Sequence, residues 1–286
     1  MEQRRIGDRQ VSAIGLGAMH LSTDQRPDEV AAIQVVHAAL DEGITLIDTA
    51  DAYTPRDHAP GHNEQIVAKA LKSYDGDTSD VLVATKGGHT REGMAWGLNG
   101  RPDYLRVAAE NSCRALGVDS IEVYQHHRPD PEMPYAETMG ALRDLLDAGL
   151  IQRAGISNAD LEQIRIAHDI LGDALVSVQN QYSPVFRSSE PELELCAELG
   201  LAFMPWSPLG GLRGAKDVGS TTAAFGEVAN KYDVSPQAVC LAWMLAKSPA
   251  VIPIPGASRT TSVRDSAAAV ALKLDDEDLA SLDAPA

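Results

Sequence analysis

The sequence contains no apolar run that approaches the roughly 20 residues needed to cross a bilayer. Its first residues, from Met1 to Arg5, lead into the chain without the apolar core of a signal peptide. Its three cysteines are far apart and match neither a disulfide framework nor the spacing of a metal site. From these absences we expect a cytoplasmic protein with reduced thiols, no membrane partner and no bound metal.

Positive charge is also scarce in this chain. Its 24 Lys and Arg residues stand against 41 Asp and Glu residues, so the formal net charge is −17. This charge argues against nucleic acids and anionic membranes as general partners, because they would be repelled. A local basic pocket for a small phosphate is still compatible with it. We therefore expect a small-molecule partner; the sequence predicts no oligomeric state.

No linker or low-complexity segment interrupts the 286 residues. Instead, amphipathic helical segments alternate with short apolar segments typical of buried strands. Residues 28–42 are predicted to be a helix that Gly43 ends, and residues 44–49 the strand that follows. About eight such units follow one another, which predicts a single α/β domain over 1–286, a (β/α)8 TIM barrel. A doubly wound open sheet is the second hypothesis.

One segment near the N-terminus begins like a dinucleotide-binding fingerprint. Residues 15–20 read Gly-Leu-Gly-Ala-Met-His, but His20 occupies the position of the third glycine. Residues 22–27 are predicted to be a loop, whereas the fingerprint requires a helix there. We therefore reject a Rossmann interpretation, and predict a β-hairpin followed by a strand for residues 5–19.

Polar residues with complementary chemistry follow several predicted strands. In a barrel these strand ends meet at one mouth, where active sites lie. Asp48 ends the second strand and Tyr53 lies just beyond it, while Lys86 and His127 end the third and fourth. An ammonium group lowers the pKa of a nearby tyrosine from about 10. We expect Tyr53 to protonate a carbonyl oxygen, with Lys86 held by Asp48 and His127 hydrogen-bonded to the same oxygen.

A hydride donor for such a carbonyl reduction has candidate contacts at the other strand ends. Ser157, Asn158 and Gln179 offer hydrogen-bonding groups that suit a carboxamide. Trp206 offers an aromatic face for a nicotinamide ring. Phosphates are expected at the loop that carries Arg213 and Lys216, and at residues 256–259 before the last predicted helix. For each loop glycine, turn geometry is an equally good explanation.

Short motifs along nearly the whole chain resemble those of the aldo-keto reductase superfamily, in the order of that family. They are IDTADAY at 47–53, GHNE at 61–64, ATK at 84–86, LGVD at 116–119, VYQHH at 123–127, GISN at 155–158, VQNQY at 178–182, WSPL at 206–209 and IPIPG at 252–256. The resemblance implies a (β/α)8 barrel closed at its base by the N-terminal hairpin. It also implies NADP(H)-dependent reduction of an aldehyde or ketone to an alcohol.

The resemblance carries residue roles onto the matching positions. The catalytic tetrad falls on Asp48, Tyr53, Lys86 and His127. The family's histidine lies three residues after the tyrosine of its strand, here Tyr124, which selects His127 rather than His126. Trp206 stands where many relatives carry tyrosine. Cofactor contacts are implied at Gly17, Ala18, Ser157, Asn158, Gln179, Trp206, Ser207, Leu209, Gly256, Ser258, Arg259 and Arg264.

Two departures from the family pattern affect the ends of the site. The family often has Glu-Asn near its last helix, where the asparagine contacts adenine, but this chain has Asp265-Ser266. The chain also stops soon after its last predicted helix, whereas many relatives have a longer C-terminal loop. We expect an open substrate pocket formed by Met19, His20, Met94, Trp96 and Arg128. Small aldehydes, sugars, pyridoxal-like rings and secondary-metabolite ketones are all compatible with the sequence as substrates.

Two other hypotheses compete with a reductase. The first is a redox sensor of the same fold with slow turnover, like the reductase-like β subunits of potassium channels; a complete tetrad argues against loss of chemistry. The second is a metal-dependent hydrolase with ligands such as Asp48, Asp51, His62, His126 and His127. Neighbouring residues of a strand face opposite ways, so the two adjacent histidines make a poor ligand pair. The ammonium group of Lys86 would also repel a cation.

Overall fold

Strands and helices alternate along the computed structural model, which describes residues 1–23, 26–214, 218–221 and 223–284. The strands are β1 Gln3–Ile6, β2 Arg9–Ser12, β3 Leu16–Gly17, β4 Leu46–Asp48, β5 Leu82–Gly87, β6 His89–Glu92, β7 Ala95–Leu98, β8 Val123–His126, β9 Ala154–Ser157, β10 Leu175–Gln179 and β11 Ala202–Phe203. The α-helices are α1 Glu29–Asp41, α2 His62–Ser73, α3 Pro102–Leu116, α4 Tyr135–Asp147, α5 Leu161–Leu171, α6 Glu190–Leu199, α7 Gly211–Gly214, α8 Val218–Thr221, α9 Ala223–Tyr232, α10 Pro236–Lys247, α11 Thr260–Ala268 and α12 Asp276–Asp283. Lys216, and the side chain of Arg213, lie outside the described part of the chain.

The parallel strands β3, β4, β5, β8, β9, β10 and β11 lie side by side in that order. Residues 250–256 then join the two outer strands of this sheet. Phe203 of β11 forms a parallel bridge to Val251 on one side of the segment. Gly17 of β3 forms a parallel bridge to Gly256 on the other side. The predicted (β/α)8 barrel is therefore confirmed, and the open sheet does not form.

The eighth position of the barrel is held by single bridges, and proline explains why. Pro253 and Pro255 have no N–H group to donate to a neighbouring strand. Their carbonyls still accept hydrogen bonds from the backbone N–H groups of Gly15 and Gly17, at 2.9 and 3.0 Å. On the other side, the N–H of Ile252 donates to the carbonyl of Phe203 at 2.8 Å. The segment thus closes the barrel with fewer backbone hydrogen bonds than a regular strand would make.

The hairpin of β1 and β2 covers the base of the barrel, as the resemblance implies. Ile6 and Val11 are fully buried and pack with the inward-facing side chains of the barrel strands, among them Leu46 and Val123. The guanidinium of Arg4 donates to the carbonyls of Leu245 and Ser248, each at 2.7 Å, at the C-terminal end of α10. These contacts fix the hairpin and leave the opposite end of the barrel for a site.

Local signals in the sequence explain several helix boundaries. Asp28 caps α1, because its carboxylate accepts from the N–H of Ala31 at 2.8 Å. Gly117 ends α3 with φ of 73°, a conformation that glycine adopts without strain. No helix of the described ranges is long and apolar enough to span a membrane.

Two segments differ from the prediction. Residues 87–101, expected to be a Gly-rich loop, contain the antiparallel hairpin of β6 and β7. Gly88 and Gly93 have φ of 97° and 58° and allow the chain to enter the hairpin and to turn. Beyond the helix expected to be last, α12 follows and packs its buried Leu282 into the core. It begins with a capping box in which Asp275 and Asp278 bond each other's backbone N–H groups.

Candidate active site

A cavity of about 940 Å³ lies at the carboxyl ends of the barrel strands. The predicted site residues that line it are Gly17, Met19, His20, Asp48, Tyr53, Trp96, His127, Arg128, Ser157, Asn158, Gln179, Trp206, Ser207, Leu209, Gly256, Ser258 and Arg259. Lys86 lies behind Tyr53, and Ala18 is buried next to Gly17. Met94 and Arg264 do not line the cavity. The structure thus brings most of the predicted residues to one mouth.

Lys86 is the centre of a hydrogen-bonded group at the bottom of this cavity. Its side chain is completely buried. The ammonium group donates to the Asp48 carboxylate at 2.7 Å and to the Tyr53 hydroxyl at 3.2 Å. A third bond, at 2.8 Å, goes to the backbone carbonyl of Thr49. Three acceptors therefore fix the position of the lysine and place its charge against the tyrosine oxygen.

Asp48 is held from two further strands. The side-chain amides of Gln179 and Gln125 donate to its Oδ1 atom at 2.8 and 3.2 Å. Its other oxygen accepts from Lys86, so both carboxylate oxygens have partners. Gln179, predicted as a carboxamide contact, thus also orients the acid. Gln125 was missed from the sequence, although its place two residues before His127 puts it on the same face of the strand.

The pKa of the Tyr53 phenol is raised above its ordinary value. Burial is the main cause, since it penalises the phenolate, and the nearby charge of Lys86 opposes it. The net direction is opposite to the lowering expected from Lys86 alone. For Lys86, burial favours the neutral amine, but Asp48 and Tyr53 raise its pKa above the ordinary value. The pair is therefore a protonated phenol beside a charged ammonium group.

His126 and His127 face opposite sides of their strand. The His127 ring meets the Tyr53 ring edge to face, with centroids 5.5 Å apart, and lines the cavity. The His126 ring is buried behind the sheet, 5.9 Å from the ring of Tyr135. Burial lowers the pKa of His127 well below its ordinary value, and Lys86 adds to this effect. His127 therefore faces the cavity as a neutral imidazole.

The groups predicted to hold a carboxamide are bonded to one another. Asn158 has φ of 58°, in the left-handed region that non-glycine residues seldom adopt. Its Nδ2 atom donates to the carbonyl of His127 at 3.0 Å, and its Oδ1 atom accepts from the Trp206 indole at 3.1 Å. Ser157 donates to the carbonyl of Gln179 at 2.7 Å. Amide, hydroxyl and aromatic groups thus stand together beside Tyr53.

The other end of the cavity reaches the first turn of α11. Ser258 and Arg259 line it there, and Arg259 is the N-cap residue of that helix. Arg264, predicted as a cofactor contact, instead places its guanidinium 3.5 Å from the Glu42 carboxylate. Asp265 accepts a hydrogen bond from the Ser235 hydroxyl at 2.7 Å. Arg259, at the start of α11, therefore faces the cavity, whereas Arg264, within α11, faces the end of α1.

Two glycines at the cavity are explained by close packing. A Cβ atom on Gly17 would lie 2.7 Å from the carbonyl oxygen of Ile254, and one on Gly256 would lie 2.4 Å from the His20 ring. Barrel closure by itself requires glycine at position 17, where the clash is with backbone, whereas a side chain at position 256 would have to displace the His20 ring.

The hairpin of β6 and β7 forms one wall of the cavity. His89, which was missed from the sequence, lines the cavity and stacks on Trp96 with centroids 4.6 Å apart. Its ring also meets the ring of His127 edge to face, at 4.9 Å. Met94 lies near the tip of the hairpin with 65% of its surface exposed. Trp96 and His89, rather than Met94, therefore border the space above Tyr53.

Comparisons with known proteins show what this chain is similar to. A family model described as "Aldo/keto reductase family" matches residues 13–285. An uncharacterized oxidoreductase of Schizosaccharomyces pombe is 34% identical over 284 residues, covering 98% of this chain and 88% of that protein.

Solved structures of the same family also resemble this chain. A thermostable aldo-keto reductase in complex with the inhibitor epalrestat has a TM-score of 0.83 and 29% identity, and 99% of each chain is covered. An aldo/keto reductase of Klebsiella pneumoniae, in complex with NADP and acetate, has a TM-score of 0.82 and 28% identity. That match covers 98% of this chain and 94% of the other.

Proposed function

The chain belongs to the aldo/keto reductase family, and we propose that it reduces an aldehyde or ketone to an alcohol with NADPH as cofactor. One observation carries the proposal: buried Lys86 bonds both Asp48 and Tyr53 at the bottom of a cavity that His127 also lines. The 286 residues act as a single barrel domain in this proposal. The solved Klebsiella pneumoniae relative that carries NADP in its complex supports the choice of cofactor.

The residues along the cavity fit a nicotinamide dinucleotide phosphate. Asn158 and Ser157 supply amide and hydroxyl groups for a carboxamide, and the Trp206 indole supplies a face for the ring. At the far end, Arg259 and the first turn of α11 supply a guanidinium group and N–H donors for phosphate. The chemistry that NADPH supplies when bound is the transfer of a hydride to the carbonyl carbon.

Tyr53 supplies the proton in this reaction. Its raised pKa keeps the phenol protonated at neutral pH, so the proton is present when the carbonyl oxygen becomes basic. As the proton leaves, the ammonium of Lys86, 3.2 Å away, stabilises the phenolate. Asp48 holds Lys86 in place, and solvent restores the proton after the alcohol departs. The balance is one carbonyl, one hydride and one proton for each alcohol.

His127 orients the carbonyl group. Because burial keeps its imidazole neutral, it can donate one hydrogen bond to the carbonyl oxygen without competing for the proton of Tyr53. Because the two rings are in edge-to-face contact, the Tyr53 hydroxyl and the His127 imidazole border the same part of the cavity. A carbonyl oxygen between them would receive two hydrogen bonds.

The test is NADPH consumption with a panel of aldehydes and ketones, with Tyr53→Phe beside the wild type. We expect turnover that falls by about 10²- to 10⁴-fold in the variant, the usual share of a positioned acid. NADPH binding, measured by fluorescence quenching, should be unchanged. Tight NADPH binding without any turnover would favour the redox sensor. The absence of both binding and turnover would contradict the reductase function.

We also propose a cytoplasmic location. Cys113, Cys196 and Cys240 are all buried and unpaired, as expected for a chain that keeps its thiols reduced. Labelling of free thiols in the unfolded protein taken directly from cells would test this. A substantial disulfide-bonded fraction would contradict it.

A further inference from the structure

Arg128 is placed at the catalytic end of the cavity. It follows His127 directly, at the end of β8, and its side chain is half-buried. Its guanidinium carbon lies 5.8 Å from the centre of the Trp206 ring. The cavity thus has a cation at each end, since Arg259 lies at the start of α11. The proposed phosphate site uses Arg259 and leaves Arg128 without a role.

No carboxylate neutralises Arg128 within the described residues. Apart from its contact with the Trp206 ring, its guanidinium donates no hydrogen bond and forms no ion pair there. The acids that line the cavity are engaged elsewhere: Asp48 with Lys86, and Asp265 with the Ser235 hydroxyl. In a chain with a net charge of −17, an arginine without an acid partner beside the tetrad is an unusual placement.

Asp130, two residues further along the chain, is not the carboxylate partner of Arg128. One of its oxygens accepts from the N–H of Gly100 at 2.9 Å, and the other accepts from the N–H of Glu132 at 3.0 Å. One bond holds the backbone before α3, and the other holds the turn after β8. The acid is therefore used for local structure, and the guanidinium of Arg128 remains directed at the cavity.

The groups around Arg128 give this end of the cavity a positive potential. Burial, together with the charge of Arg128, lowers the pKa of His89 to about 4, so its ring is neutral at pH 7. His127 is neutral for the same kind of reason. Lys86 is charged but balanced by Asp48. The net charge that a ligand meets above Tyr53 is therefore that of one guanidinium group.

We propose that the substrate is an oxo acid, an aldehyde or ketone that carries a carboxylate, and that Arg128 binds the carboxylate. The inference rests on the proposed reductase function and adds the class of substrate. A guanidinium group matches a carboxylate with two parallel hydrogen bonds, and one positive charge balances one carboxylate. The carbonyl group meets Tyr53 and His127, while Trp96 and His89 pack against the part of the substrate that joins the two groups.

Matched pairs of probes isolate the carboxylate. 4-Carboxybenzaldehyde and 3-carboxybenzaldehyde are compared with their methyl esters, which keep the shape and the aldehyde but lose the charge. We expect kcat/KM of the wild type to be roughly 10- to 100-fold higher for at least one acid than for its ester, as for a charge-assisted hydrogen bond. The difference should lie in KM, and it should shrink as the ionic strength rises.

Arg128→Gln should remove this preference, so that kcat/KM falls much more for the acid than for the ester. Arg128→Lys should keep part of it, because the charge remains but the two-pronged geometry is lost. The control is Arg106→Gln, an exposed arginine on α3 that pairs with Glu110, and it should keep the full preference. NADPH binding should be the same in all four proteins.

Three results would overturn the proposal. The first is equal reduction of acid and ester by the wild type. The second is an equal loss of activity on both probes in Arg128→Gln, which would mean that Arg128 has a general structural role. Arg128→Gln could also weaken NADPH binding, which would assign the arginine to the cofactor. In each of these cases the reductase function survives, because the ester is still reduced. Absence of turnover for all probes by the wild type would overturn the reductase function and this inference together.

Discussion

The indole nitrogen of Trp206 donates a hydrogen bond to Oδ1 of Asn158 at 3.1 Å. Asn158 holds a left-handed backbone conformation, which costs about 1 kcal/mol or more for a residue with a side chain. The bond from Trp206 and the bond to the His127 carbonyl together fix the direction of its amide. A tyrosine at position 206 could stack on a nicotinamide ring but has no N–H group for Asn158.

Trp206→Phe therefore separates the aromatic face from the hydrogen bond. We expect Kd for NADPH to rise roughly 3- to 10-fold, the worth of one neutral hydrogen bond, because Asn158 is less well oriented. Fluorescence quenching or calorimetry measures the change. Trp96→Phe, on the opposite wall of the cavity, is the matched control and should leave Kd unaltered. An equal rise in Kd for both variants would show that the hydrogen bond from Trp206 to Asn158 does not contribute to NADPH binding.

The Lys86–Asp48 pair is expected to matter for stability as well as for activity. Lys86→Met leaves the Asp48 carboxylate buried without a counter-charge, which should lower the free energy of unfolding by about 3–5 kcal/mol. The double variant Asp48→Asn/Lys86→Met removes both charges and should recover most of that loss, but no activity. Urea unfolding followed by circular dichroism measures both. A double variant as unstable as the single one would mean that packing, rather than charge, is lost.

His126 makes the stability of the protein depend on pH. Burial lowers its pKa to about 4, below the value of about 6.5 in the unfolded chain. Between these pH values the unfolded state binds more protons at His126 than the folded state does. The free energy of unfolding is therefore undiminished above pH 6.5, and it decreases as the pH falls toward 4. The loss from this one group should reach about 2 kcal/mol at pH 5.

The check is urea unfolding at pH 7 and pH 5 for the wild type and for His126→Gln, which has no group that titrates in this range. The variant should lose less stability than the wild type between the two pH values. Its turnover at pH 7 should exceed that of His127→Gln, because His127 lines the cavity and His126 does not. The same drop in stability for both proteins would show that His126 does not report this protonation.

Arg259 is expected to determine the preference for NADPH over NADH. Arg259→Ala should weaken NADPH binding roughly 10-fold or more and change NADH binding little, because only NADPH has a 2′-phosphate for the guanidinium. Arg264→Ala is the matched control on the same helix, since its guanidinium faces Glu42 and not the cavity. Binding titrations with both nucleotides test the pair. Equal weakening of NADPH and NADH by Arg259→Ala would contradict a 2′-phosphate contact.

Alternation of elements was enough to predict the barrel and the meeting of the strand ends. Asp48, Lys86 and His127 each follow an apolar strand, and parallel strands in a barrel present their carboxyl ends to one mouth. The position of Arg264 depends on helix phase instead. Five residues beyond Arg259, a helix has turned by about 140° from the same face, so the side chain points toward α1.

The features that were missed depend on contacts made only after folding. The hairpin of β6 and β7 has short strands, His-Thr-Arg-Glu and Ala-Trp-Gly-Leu, without a clear apolar alternation, so the turn glycine Gly93 did not suffice to predict it. The role of His89 as a cavity wall follows from its stacking on Trp96, which that hairpin creates. The direction of the Tyr53 pKa depends on the balance between burial and Lys86. A sequence states which charges are present but not how deeply they are buried.

The closure of the barrel by residues 250–256 has a consequence for the order in which the protein can be made. Strand β3 leaves the ribosome long before the segment of Pro253 and Pro255, which is its partner on one side. Until that segment emerges, the nascent sheet has an open edge at β3 and another at β11. Completion of the ring, and with it the formation of the cavity beside Gly17 and Gly256, therefore waits until residues 250–256 have been made.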